Sequence, residues 1–388
     1  MRGSKWLIGV TFAAALASGC GGRVASSVGG ESHFLCETDR DCAVHGAGLV
    51  CVERVCTSAG PSTGAISVFG SGGGGSSSSL VGSGTGGAPA SSPPASIGGG
   101  VSTTGFASPD GGLMSYIAGG VTRDGKIAAA YWTGKVEAAA LIDPGTGLVS
   151  FMGYLGDLAW WQDALVYDAA SNTLFAIGQN QNSVARVYSL SFDTGSSHAV
   201  DLVLPNLDGG QPQYSLGGVT ADGKLVGGYW DAREVAVLID PTTGESTYEG
   251  ELGSLYTAAH QLTYDAATHT LYAAGQDNGA VTQLTSLALD SGRTTSVPLS
   301  AVVDGSVQDF FLGGVTSDGK VIAAHWDGAV EAVTLIDPAT AAMTSAGALG
   351  DLYWWQSQIV YDAATRTVFA IGENATNVSS IYSLRLGN

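Results

Sequence analysis

Gly217-Gly218-Val219-Thr220-Ala221-Asp222-Gly223-Lys224-Leu225-Val226-Gly227-Gly228-Tyr229-Trp230 decides how this chain is built. A short apolar strand runs into a polar turn with Asp-Gly at its tip, and a second short strand leads away to two aromatic rings. That pattern is a β-hairpin. The same hairpin begins at Gly119-Gly120-Val121-Thr122 and again at Gly313-Gly314-Val315-Thr316. Further along each copy come Leu141-Ile142-Asp143-Pro144, Leu238-Ile239-Asp240-Pro241 and Leu335-Ile336-Asp337-Pro338, then Tyr167-Asp168 and its counterparts at Tyr264 and Tyr361. The period is about 97 residues, three times over. Each long repeat halves into two similar parts, so the array comprises six units of about 48 residues.

A unit of that length predicts four short antiparallel strands, which is one blade of a β-propeller. One blade cannot cover both of its faces, whereas six stacked radially can, so repetition and burial explain each other. The predicted fold is therefore all-β: a six-bladed β-propeller behind a small disulfide-rich module and a disordered linker. The blades resemble the NHL-like and YVTN-like blades of six-bladed bacterial propellers, a resemblance of architecture. The Trp-Asp pairs at Trp230-Asp231 and Trp326-Asp327 end the second strand of their units and are not WD40 signatures. After Tyr382-Ser383-Leu384-Arg385-Leu386 the sixth unit lacks a fourth strand. Residues 97–107, just ahead of the first repeat, are expected to supply it and so close the ring.

The start of the chain reads as an export signal. Arg2 and Lys5 precede an apolar run from Trp6 to Leu16 that is too short to span a bilayer. It ends in Ala17-Ser18-Gly19-Cys20, which resembles the lipobox of bacterial lipoproteins; that resemblance implies cleavage before Cys20 and its acylation. Cys36, Cys42, Cys51 and Cys56 follow in C-x5-C-x8-C-x4-C spacing. Four cysteines packed closely in an exported chain predict two disulfides, in any of three pairings. A zinc site is the alternative, but no C-x2-C pair is present. The segment resembles small Dickkopf-like or EGF-like cysteine modules. The Ser- and Gly-rich stretch that follows cannot bury a core and reads as a tether with a span of roughly 30–35 Å. The expected organisation is 1–19 signal peptide, 20–31 lipidated tether, 32–57 four-Cys module, 58–95 disordered linker and 96–388 propeller. The protein is expected to be exported and lipid-anchored to the cell envelope, at the outer membrane or cell surface, and monomeric.

Composition narrows function by exclusion. Lys plus Arg is 15 against 34 for Asp plus Glu, a net charge of −19, and this lacks the basic footprint of a nucleic-acid binder. No G-x-S-x-G, H-E-x-x-H or phosphate loop is present. No catalytic residue, metal or cofactor is assigned.

The repeats nevertheless place a distinctive set of residues at one end of the blades. Odd units end their second strand at Trp132, Trp230 and Trp326, with Glu137, Glu234 and Glu331 opening the third. Even units carry Gln179-Asn180, Gln276-Asp277-Asn278 and Glu373-Asn374 at the matching loop, and begin with Trp160-Trp161-Gln162 and Trp354-Trp355-Gln356. The fourth unit has Thr257-Ala258-Ala259 there instead, which predicts an asymmetric cleft. Aromatic faces beside amides and carboxyls suit sugars, cations or peptides. Alternatively the tryptophans wedge between blades as core, and the three glutamates are solvated strand edges.

The leading expectation is a binding or interaction module for a glycan or a protein partner, with the lipid as its membrane contact. Two rivals stand beside it: a metal-dependent propeller hydrolase or lyase of lactonase type, with Glu137, Glu331, Asn180 and Asn374 as ligands, and an envelope assembly scaffold.

Overall fold

The computed structural model describes residues 49–52, 55–58, 100–105, 116–203, 214–230, 233–253, 255–257, 262–279, 281–299, 310–326, 330–355, 359–374 and 378–387. The chain divides into two compact units, Met1–Ala88 and Pro89–Asn388. In the first, Leu49–Val52 and Val55–Ser58 form an antiparallel hairpin whose backbone register sets position 51 opposite position 56. Cys20, Cys36 and Cys42 lie outside the described residues.

The second unit is a six-bladed β-propeller, with no helix among its described residues. Blade one runs outward as Tyr116–Val121, Ile127–Trp132, Glu137–Ile142 and Val149–Tyr154. Blades three and five repeat it from Tyr214–Val219 and Phe311–Val315. The inner strands pack side by side from blade one through blade six and back to blade one. The closing strand is Val101–Gly105, which pairs antiparallel with Ser379–Arg385, Ser380 opposite Gly105 and Leu384 opposite Val101. The sixth blade thus takes its outer strand from the start of the propeller sequence, within the stretch expected to close the ring.

Even blades depart from the simple four-strand expectation. In blade four, Leu255–Thr257 and Leu262–Asp265 both pair with Thr270–Asp277. In blade six, Leu352–Trp355 and Val360–Asp362 both pair with Thr367–Asn374. Blade two keeps one strand, Leu158–Asp168, but its register slips between Trp161 and Leu165. Every even blade therefore bulges midway along its innermost strand.

The core lies in six seams between blades. Alanines fill both faces of the middle strands of blade one: Ala128, Ala129, Ala130, Ala138, Ala139 and Ala140 are all fully buried. Large partners come from the neighbouring blades. Leu155, Leu158, Leu165, Leu174 and Tyr188 fill the seam from blade one to blade two. The Gly-Gly signature belongs to these seams. A Cβ on Gly119 would lie 2.9 Å from Leu165 Cγ, and one on Gly313 only 2.5 Å from Ile359 Cγ1. The first glycine of each pair lets the next blade pack against bare backbone. The register shifts between Ala118 and Gly120, Leu216 and Gly218, and Leu312 and Gly314, so the first glycine is the extra residue of a bulge, and the second follows it with φ of +147° at Gly314.

Candidate functional site

Strand alternation sorts the residues at the upper end of the blades, where the inner strands begin, into two kinds of seam. Trp132 and Glu137 are register partners on adjacent strands of blade one. They share a face with Ala128, Ala130 and Ala139, which pack toward blade two. Trp230 and Glu234 occupy the same place toward blade four, and Trp326 and Glu331 toward blade six. The seams from odd to even blades are thus headed by a tryptophan and a glutamate.

The other three seams are headed by pairs of tilted rings. Tyr116 and Tyr131 meet at 5.0 Å between centroids, Tyr214 and Tyr229 at 6.3 Å, Phe310 and His325 at 5.2 Å. Gln179 falls on the face of Phe175 and Ile177, and Gln276 on that of Tyr272 and Ala274, so both belong to ring-headed seams. The sequence reading overlooked Tyr116, Tyr214 and Phe310, although an aromatic residue stands three positions before each Gly-Gly pair.

Burial separates the members of the tryptophan-headed seams. Trp132 is 40% exposed, whereas Trp230 and Trp326 are half-buried. Each tryptophan therefore packs at the mouth of a seam. The glutamates are not solvated strand edges: Glu137 is 2% exposed, and Glu234 and Glu331 are each 4% exposed. Their position explains this, because the residues two and four places on lie within the apolar seams. Desolvation pushes Glu137 and Glu234 up to about 8 from 4.5. Glu137 Oε2 is buried and has no hydrogen-bond partner among the described residues.

The backbone at Trp160, Trp161, Trp354 and Trp355 lies in the upper part of the inner strands of blades two and six. Trp160 is opposite Gln179, Thr257 opposite Gln276 and Trp354 opposite Glu373. The side chains of Trp160, Trp161, Gln162, Trp354 and Trp355, and all of Ala258 and Gln356, lie outside what is described. The expected asymmetric cleft at blade four falls with them.

The suggested metal-ligand set divides between two seams, Glu137 and Asn180 falling on the faces that meet between blades one and two, Glu331 and Asn374 on those that meet between blades five and six. Asn180 Oδ1 accepts from the backbone N–H of Asn182 at 2.9 Å and Val184 at 3.1 Å, while its amide donates to Asp157. Asn374 accepts from Val378 and donates to Asp351. Both asparagines thus brace their own loops. No group of three His, Cys, Asp or Glu side chains is placed to hold a metal among the described residues.

At the lower end, aspartates shape turns. Asp143 accepts from Gly145 and Thr146, Asp168 from Ala170 and Ser171, and Asp337 from Ala339 and Thr340. Asp222 receives the Thr220 hydroxyl and is held below the usual carboxylate range chiefly by that bond. These four aspartates are accounted for by turn chemistry.

No protein-family model and no curated protein matches the chain. Solved structures do. The PQQ-bound form of aldose sugar dehydrogenase from Streptomyces coelicolor is 14% identical, over 75% of this chain and 99% of its own, with a TM-score of 0.50. AofleA from Arthrobotrys oligospora is 10% identical, over 74% of this chain and 90% of its own, with a TM-score of 0.51. TolB from Acinetobacter baumannii is 14% identical over 60% of this chain, which spans only 54% of that protein, with a TM-score of 0.43. At such identities the first two likenesses establish the fold alone.

Proposed function

We propose that this is an exported lipoprotein, anchored at Cys20, whose propeller is a binding module for a glycan on its upper face. The observation that carries the reading is the recurrence, in every odd blade, of a tryptophan at the mouth of a seam over a buried glutamate, with Trp132 the most exposed. An exposed ring stacks on the C–H face of a sugar, and a nearby polar group binds its hydroxyls. The loop asparagines that a lactonase-type metal site would need are engaged in their own turns. The lipobox-like Ala17-Ser18-Gly19-Cys20, the four-Cys segment and the Gly- and Ser-rich tether support placement at the envelope.

The test is a screen of the full-length protein, in mild detergent, against immobilised glycans and bacterial polysaccharides. Saturable binding that free glycan competes away supports the reading. A screen with no saturable binding rejects it, and would return attention to a protein partner.

A further inference from the structure

The seam from blade one to blade two carries an observation that packing alone does not account for. Glu137 is almost fully buried, and its Oε2 finds no hydrogen bond among the described residues. An unsatisfied buried polar atom is destabilising, so in a well-packed seam it needs a reason. Methionine would fill the same space and remove the polarity altogether. Yet the three long repeats keep glutamate here while the positions beside it vary: Glu-Ala-Ala-Ala at 137–140, Glu-Val-Ala-Val at 234–237 and Glu-Ala-Val-Thr at 331–334.

The cross-strand neighbour of Glu137 is Trp132, on the same face and much more exposed. Between them they offer a flat apolar ring at the mouth and a lone polar oxygen behind it. We propose that the mouth of this seam is a saccharide subsite, in which a neutral sugar ring stacks on Trp132 and the buried carboxyl of Glu137 turns toward the mouth to hydrogen-bond one of its hydroxyls. The subsite rests on the glycan-binding reading above and gives it an address. Burial pushes the carboxyl up to about 8, so near neutrality it carries a proton and can donate as well as accept. A cationic ligand would need the ionised form, which the apolar surroundings of Ala128, Ala130 and Ala139 oppose.

The experiment uses the full-length protein and three neutral probes: gluco-, manno- and galacto-tetrasaccharides, with tetramethylammonium as the cationic control. Affinity is read by calorimetry, and each variant is melted in parallel. At least one tetrasaccharide should bind, and Trp132→Ala should weaken it at least tenfold. Glu137→Gln, which still donates and accepts, should stay within about threefold of the parent. Glu137→Ala should lose at least tenfold. Glu137→Met, which fills the space without a polar atom, should lose as much while melting no lower than the parent, so loss of binding cannot be laid to unfolding. Full affinity in both Glu137→Ala and Glu137→Met would overturn the subsite and leave the glycan-binding reading standing. Failure of every tetrasaccharide, or binding of tetramethylammonium alone, would overturn both.

Discussion

Gly313 shows how narrowly a single residue can set the distance between two blades. A Cβ there would lie 2.5 Å from Ile359 Cγ1, closer than carbon atoms approach, and the seam around it is full. Gly313→Ala should therefore lower stability by about 1–3 kcal/mol, measured by denaturant unfolding. The buried glutamates act at the same scale through protonation. Glu137 and Glu234 titrate near 4.5 when unfolded and about 8 when folded. The folded state holds their protons more tightly, so their stabilising effect is full below pH 4.5 and is lost as the pH rises to about 8. Each carboxyl contributes at most about 1.4 kcal/mol per pH unit across that window. The melting temperature should fall between pH 5 and pH 8, and the double variant Glu137→Gln, Glu234→Gln should flatten the fall. An unchanged slope in that variant would place the titrating groups elsewhere.

Among the elements, the closing strand Val101–Gly105 does the most with the least. It is mostly exposed, so it adds little to the core, but it occupies the outer edge of blade six. Arg385 N–H also donates to Gly100 O at 3.3 Å, and the Ser102 and Ser383 hydroxyls meet at 2.6 Å. Without this strand, Ser379–Arg385 would become an edge with unpaired backbone groups. A chain shortened to begin at Met114 should melt well below one that begins at Ser91, and should aggregate on heating. Equal melting temperatures would mean that the strand is dispensable. The bulged inner strands of the even blades belong to this scale too. Each slips its register against the second strand, a step that the composition of these strands does not announce.

At the scale of the whole molecule, the proposals about anchoring and the cysteine module can be checked independently of the propeller. Cys20→Ala should release the protein into the soluble fraction and abolish labelling by a clickable fatty acid; continued membrane association would reject lipidation at Cys20. Two disulfides among Cys36, Cys42, Cys51 and Cys56 should raise the intact mass by four hydrogens on reduction. The backbone register that sets position 51 opposite position 56 is one arrangement in which such a bridge is sterically reasonable. An unchanged mass would mean free thiols or bound zinc.

The number of blades, their order and the source of the closing strand were legible in the sequence. Each follows from a local signal: hairpin turns with Asp-Gly, alternation along short strands, a repeated Gly-Gly and a final unit one strand short. Trp132 and Glu137 were legible as neighbours for the same reason, since a short loop joins their strands. What those residues meet across the seam was not. Strand alternation assigns a side chain to a face, but whether that face sees water or another blade depends on how the ring closes. Glu137, Glu234 and Glu331 look like solvated strand ends in a single blade and become buried acids only when the next blade packs over them. Likewise the pairing of Tyr116 with Tyr131, and of Phe310 with His325, caps the alternate seams only once six blades stand in a circle. Local chemistry determined the blade, and the packing of blades against one another decided which polar groups lost their water.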